Sequence, residues 1–248
     1  MIVSGRAGEG KTRLVRHGFA EVERAGTMLG AAASFDETIA NAQVGLHACV
    51  TRLLGAPSPT VADSLAGPWR WLGRVPQPGV DFARIHEWLT SERRALDPAE
   101  SADVASTCVL AASRVFPVYL WLDDVAWSRD GAMELFVRLL ERDDARVIVI
   151  GTLRSGTAEH PEVRAWLLRA AKAGARLEML PALDAPGRAR LLAAAGGLAP
   201  SAAESLAARL DEPPLVLVEA VRAWIDEGDL VASESGYVLR DGAHAADL

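Results

Sequence analysis

Eight residues near the amino end constrain this chain more than any others: Gly5-Arg6-Ala7-Gly8-Glu9-Gly10-Lys11-Thr12. They fill every fixed position of the pattern G-x-x-x-x-G-K-[ST], in which each residue type has a physical reason. The glycines let the backbone close into a nest of inward-pointing N–H groups that suits phosphate oxygens. Gly5, Arg6, Ala7, Gly8, Glu9, Gly10, Lys11, Thr12 and the adjoining Arg13 are therefore the candidate phosphate-binding residues. Lys11 offers a mobile positive charge for β- and γ-phosphates, which also makes it a candidate catalytic group, and the Thr12 hydroxyl is a candidate ligand for Mg²⁺. A helix opening at Gly10 or Lys11 aims the positive end of its dipole at the same anion. Flanking residues supply the required context. Ile2-Val3-Ser4 reads as a short strand before the loop, and Leu14, Val15, Phe19 and Val22 repeat at helical spacing after it, with Gly26 as a stop. Strand, glycine loop and helix together predict a nucleotide-binding site.

A parallel strand feeding such a loop ordinarily runs about five or six residues, and here only Met1 to Ser4 precede Gly5. Either the strand is stubby or the chain begins inside a domain whose upstream part is missing. The span 27–34 reads as a second, small-residue strand. Asp36 is placed to cap a helix running through Ile39, Val44, Leu46, Val50 and Leu53 and closed by Gly55. Between 56 and 79 the prolines Pro57, Pro59, Pro68, Pro76 and Pro78 break the pattern into an insertion-like loop. Trp69 and Trp71 within it are expected to pack beneath the loop rather than form a recognition surface. A helix over 82–96 carries Ile85, Trp88 and Leu89 on one side. Asp97-Pro98-Ala99-Glu100 then has the cap, first-turn proline and glutamate of a helix start, continuing to about Val115.

The second informative stretch is Pro117-Val118-Tyr119-Leu120-Trp121-Leu122-Asp123-Asp124, an apolar run ending in two carboxylates. An acid at the carboxyl end of a buried strand, well downstream of the glycine loop, is the Walker B pattern and can hold Mg²⁺. Side chains alternate along a strand, so the two acids are expected to act differently. Asp123 is the candidate metal residue. Asp124 either orients or deprotonates an attacking water, or serves as a turn or helix-capping carboxylate. Ser128 is read as the cap of a helix bearing Met133, Phe136, Leu139 and Leu140. The span 146–154 is the next strand, and Thr152 and Arg154 emerge at its end. There they either sense the γ-phosphate, Thr152 as a nucleotide contact and Arg154 as a catalytic cation, or cap a solvated strand end. A helix over 161–173 and a strand over 176–180 complete the alternation.

Beyond Leu183 the alternation ceases. Three helical patterns (184–195, 201–210 and 215–227) follow with short turns, and a small hairpin is expected from residues 235–239 and those near Leu230, followed by a loose tail. The expected architecture is α/β: a three-layer P-loop NTPase with a five-stranded, mainly parallel sheet (1–183), a helical lid (184–230), and a small hairpin with tail (231–248).

Composition excludes some classes. Half of the 248 residues are hydrophobic and 24% are charged, so a sizeable core is expected; the net charge of −7 argues against a mainly electrostatic nucleic-acid binder. The two cysteines, Cys49 and Cys108, lie far apart in apolar helical patterns and read as buried free thiols, which makes a reducing cytoplasm the default location. His17, His47, His86, His160 and His244 show no zinc-site spacing. No uninterrupted apolar run approaches about 18 residues, so no membrane span is expected, and no signal peptide precedes the loop.

Taken together these stretches resemble the ATPase module of the STAND class of AAA-type P-loop proteins, as found in large LuxR-type regulators and in kinases or cyclases with fused regulatory domains. Gly5 to Thr12 corresponds to its Walker A. The run from Val118 to Trp127 corresponds to its L-D-D-x-x-W block, the run from Val149 to Arg154 to its strand ending in T-x-R, and residues 177–192 to the L-x-x-L-P-x-L start of its lid. Glu212-Pro213-Pro214-Leu215 stands where that class has G-N-P-L. The sequence departs from the pattern at Glu212 in place of glycine, Ala126 in place of histidine, and Arg129 where an acid is common. The resemblance implies that Pro214 contacts nucleotide from the lid and that Lys11, Thr12 and Asp123 keep their roles with ATP and Mg²⁺. It also implies a slow ATPase acting as a switch within a larger regulatory protein. Output or sensor domains would lie outside this chain, and a homo-oligomer is compatible with it. Two other classes stand beside it: a small-molecule phosphotransferase, for which Arg188, Arg190, Arg209 and Arg222 would have to clamp phosphates, and a nucleotide-binding module without turnover.

Overall fold

A computed structural model describes residues 1–35, 45–54, 81–90 and 97–240. Its sheet has five strands, β1 (Ile2–Gly5), β2 (Leu29–Ser34), β3 (Val118–Asp123), β4 (Val147–Arg154) and β5 (Leu177–Met179), in the spatial order β2-β3-β4-β1-β5. The pairs β2–β3, β3–β4 and β1–β5 are parallel, with Ser34 opposite Asp123 and Ile2 opposite Leu177. Strand β4 thus lies between the strand that feeds the glycine loop and the strand that ends in the acids. The four residues of β1 are all buried, and backbone hydrogen bonds from the Ile2 N–H to the Arg176 carbonyl and from the Gly151 N–H to the Met1 carbonyl hold it in the sheet.

Alternation along β3 divides the sheet into two covered faces. Tyr119 and Trp121 point toward helix α1 (Lys11–Ala25), where both rings meet Phe19 at centroid distances of 5.6 and 6.0 Å. Leu120 and Leu122, fully buried, belong to the core shared with α2 (Leu46–Leu53), α3 (Phe82–Thr90), α4 (Pro98–Val115), α5 (Ala132–Leu140) and α6 (Pro161–Lys172). The result is the expected three-layer α/β arrangement.

Several local expectations change. The described helix after β2 begins at Leu46 with Gly45 at its N-cap, and Asp36 and the segment 36–44 lie outside the described residues. So do the proline-rich stretch with Trp69 and Trp71, residues 91–96 and the tail from 241. Asp97 occupies the N-cap of α4 but its side chain makes no capping hydrogen bond. The N-cap of α5 is Gly131, at φ 91°, not Ser128; the Ser128 hydroxyl instead accepts from the Ala132 N–H at 2.9 Å, capping the helix from outside it.

The described chain partitions into two compact units, one made of Met1–Ser4 with Thr12–Met179, the other of Gly5–Lys11 with the residues from Leu180 onward. The second unit contains α7 (Ala185–Gly196), α8 (Pro200–Arg209) and α9 (Pro214–Glu227), and the hairpin of β6 (Leu230–Ser233) and β7 (Gly236–Leu239). Asp184 caps α7 by accepting from the Gly187 N–H at 2.8 Å, and Gly197 at φ 67° ends it in the left-handed conformation that glycine tolerates. Leu192, Leu206, Leu217, Val221 and Trp224 form its separate core. Tyr237, Val238 and Leu239 pack on that core, so the hairpin joins the helices rather than standing apart.

Candidate functional site

The glycine loop turns through positive φ at Gly8 (78°) and Gly10 (94°), values that disfavour any residue with a Cβ. Lys11 is buried, and its ammonium donates to the carbonyls of Gly5 at 2.9 Å and Arg6 at 2.7 Å. These two acceptors hold the charge inside the loop. Glu9 behaves differently from its neighbours. Its side chain is 8% exposed, and Oε2 accepts from the Arg6 N–H at 2.6 Å, whereas the Arg6 side chain is exposed. Within the same unit the start of α9 meets the loop. The Leu215 N–H donates to the Gly8 carbonyl at 3.2 Å, and a Cβ added at Gly8 would stand 3.1 Å from Leu215 Cβ and 3.5 Å from Pro213 Cβ. Pro214, the residue singled out in the sequence, is the first of α9, but its neighbour Leu215 is the one that bonds to Gly8. Pro214 lines a narrow recess with Arg6 and Glu9.

The acid cluster lies within the first unit. Asp123 ends β3 and is buried. Thr12, the second residue of α1, donates its hydroxyl to Asp123 at 3.0 Å from Oδ1 and 3.2 Å from Oδ2, joining positions 111 residues apart. Thr152 on β4 donates to Asp123 Oδ1 at 2.6 Å and accepts from the Asp124 N–H at 2.7 Å. Burial raises the Asp123 carboxyl above the usual carboxylate range, against the pull of the two threonine hydroxyls, and the neighbouring Asp124 charge adds to the rise. A hydroxyl and a carboxylate in contact offer the hard oxygen ligands that Mg²⁺ takes.

Asp124 is separated from Asp123 by the end of the strand rather than by pleat alternation. It is the single non-glycine residue with positive φ among the described residues, at φ 51° and ψ 45°. Aspartate tolerates this region better than most residues. Its carboxylate is gripped by Arg154, with Nε at 3.1 Å and Nη2 at 3.0 Å. Arg154 is itself half exposed at the end of β4. The structure therefore brings Thr12, Asp123, Thr152, Asp124 and Arg154 into one hydrogen-bonded cluster. Thr152, anticipated as a phosphate contact, is fully buried, with its hydroxyl committed to the two acids. Arg13 is exposed on α1 and forms no ion pair among the described residues. Sequence reasoning missed Glu9's inward turn and Leu215's bond to Gly8. Neither carries a residue-type signal, because both depend on where a backbone N–H happens to point.

Residues 1–150 match the family described as "AAA ATPase domain". The chain belongs to that family. The match spans both the glycine loop and the Asp123–Asp124 doublet of this AAA ATPase domain. Among curated proteins none matches the sequence. Among solved structures, that of the Aeropyrum pernix Orc1 protein in complex with DNA is similar at 17% identity and a TM-score of 0.38, covering 92% of this chain. The chain spans 60% of the length of that one. Nothing about ligands or partners passes from that protein to this domain.

Proposed function

We propose that this AAA domain binds Mg²⁺-ATP and hydrolyses it slowly, as the switch of a larger regulatory protein. The observation that carries the reading is the contact of Thr12 with Asp123: two residues of the types that ligate Mg²⁺, from the two motifs, meet at 3.0 Å. In this reading the loop amides and the Lys11 ammonium bind the β- and γ-phosphates, and Thr12 and Asp123 would hold the metal, which supplies charge neutralisation at the phosphates. Asp124 accepts a proton from, or orients, the attacking water, after giving up Arg154; Arg154 then faces the γ-phosphate. Thr152 is a positioning residue that fixes both acids. Switching in the manner of STAND modules, with output or sensor domains elsewhere in the protein and ADP as the resetting product, extends the same proposal.

A phosphotransferase reading is less well supported. Arg188 is bonded to the carbonyls of Leu183 and Ala207 and paired with Asp211, and Arg222 is paired with Glu219, so two of the four arginines such a lid would use are engaged elsewhere. The test is calorimetric. Lys11→Ala should weaken Mg²⁺-ATP binding by about tenfold or more, the loss expected when a charge-assisted phosphate contact is deleted. Unchanged affinity would refute the nucleotide site. Phosphate release without an added acceptor separates the ATPase from the phosphotransferase.

A further inference from the structure

A cleft of about 490 Å³ opens beside the acid cluster, within the first unit. Its walls are the two 3-10 turns that leave the sheet, Val125–Trp127 after β3 and Ser155–Glu159 after β4, together with the first turn of α6. The volume lies in the range of small-molecule sites, and the carboxyl edge of a parallel sheet is where such sites are found. Trp127, Met133 and Val163 give it an apolar side. Arg129 and Glu162 both line it, both are solvent-exposed, and among the described residues neither forms an ion pair, with the other or with any third group. Ser128, Thr157 and the His160 imidazole also line it, the two hydroxyls already engaged by Asp130 and the Arg154 carbonyl. Opposite charges that line one partly apolar cleft without pairing match a ligand that carries both charges itself.

We propose that this cleft is an effector site for a small zwitterion with an apolar side chain, an amino acid or a molecule of that chemistry. Arg129 takes the carboxylate, Glu162 takes the ammonium, and Trp127 and Met133 cover the side chain. The cleft is tied to the acid cluster by two hydrogen bonds: the Trp127 backbone N–H donates to the Asp124 carbonyl at 3.0 Å, and the Thr157 hydroxyl donates to the Arg154 carbonyl at 2.7 Å. A ligand that spreads or draws together the two turns therefore alters the Asp124–Arg154 pair. Its effect on turnover rests on the ATPase reading above, whereas binding does not.

The experiment uses the full chain and L-phenylalanine as probe, followed by NMR without nucleotide, with the Trp127 indole and Arg154 Nε–H signals assigned through Trp127→Phe and Arg154→Lys. Both signals should shift with saturable binding below about 10 mM, a concentration that corresponds to weak but specific affinity. Arg129→Glu and Glu162→Lys should each weaken binding roughly tenfold, as should replacing the probe by 3-phenylpropionate or by phenethylamine. No saturable shift, or binding indifferent to both charge reversals, overturns the site. Shifts at Trp127 without any at Arg154 overturn the coupling. Because these readouts need no ATP, an absence of hydrolysis would count against the ATPase reading alone. Where hydrolysis is present, saturating probe should change its rate about threefold or more.

Discussion

Burying a carboxylate at the end of β3 costs free energy that two threonine hydroxyls only partly return. Because the Asp123 carboxyl is held above its ordinary value, the folded chain binds more protons than the unfolded chain between those two values. Stability in that window consequently falls as pH rises, and above it a metal-free chain carries the full cost. Asp123→Asn should remove it. Each pKa unit relieved is worth about 1.4 kcal/mol, or roughly 3–6 °C in the melting temperature of a chain this size. The same variant should lose the extra stability that Mg²⁺ and ATP confer on the parent; a variant still stabilised by them would remove Asp123 from the metal site. Asp124 makes the complementary case. Its pair with half-exposed Arg154 is worth at most about 1 kcal/mol after solvent screening, so Asp124→Asn should melt nearly like the parent. As the acid that handles the attacking water it should nonetheless lose about a hundredfold or more in hydrolysis while retaining ATP affinity. Equal turnover in a phosphate-release assay would leave Asp124 as a turn residue.

Among the elements, the glycine loop and the start of α5 show how differently glycines can be needed. At Gly10 a Cβ would meet nothing within 4 Å, so Gly10→Ala should cost only the left-handed backbone, about 1–2 kcal/mol. At Gly8 the Cβ would also press on Leu215 at 3.1 Å, so Gly8→Ala should cost more and disturb the first turn of α9 as well. Gly131 is the extreme, since its Cβ would stand 2.0 Å from the backbone carbonyl of Pro98 at the start of α4. Gly131→Ala should cost more than about 3 kcal/mol, because neither backbone can yield without moving a helix. Urea denaturation of the three variants should give the order Gly10, Gly8, Gly131 from mildest to most severe; any other order would show that the loop's own strain outweighs these contacts. The two cysteines belong to this scale too. Cys49 on α2 and Cys108 on α4 are buried and free, and burial pushes the Cys49 thiol up to about 12 and the Cys108 thiol higher still, so both are packing residues and poor nucleophiles.

At the scale of the whole molecule the described residues form two separate hydrophobic cores, and every described buried residue of the larger one falls between Ile2 and Ala170. The loop Gly5–Lys11 nonetheless groups with the residues from Leu180 onward, where the Leu215 N–H donates to the Gly8 carbonyl. A chain ended after Met179 should therefore keep the α/β core, by circular dichroism and hydrogen exchange. It should bind Mg²⁺-ATP at least about tenfold more weakly, because the Gly8 carbonyl loses Leu215 and the loop loses its packing. Undiminished affinity in the shortened chain would show that the loop needs only its own glycines and Lys11.

The linear order of residues determined the strand–loop–helix at Lys11, the apolar strand ending at Asp123, and the change to helices after Leu183. Each is a local pattern of period, glycine and charge, and such patterns survive without knowledge of the fold. Burial on both faces could be read in β3 for the same reason. Tertiary structure decided what local pattern cannot encode: that β4 lies between the two motif strands, that Thr152 ties both acids, that Arg154 holds Asp124, and that Glu9 turns inward to the Arg6 amide. These are contacts across three to 30 residues whose partners are chosen by strand order and by the direction of single N–H and O–H groups. A sequence specifies which groups are available, and only the packed sheet brings them within hydrogen-bonding distance.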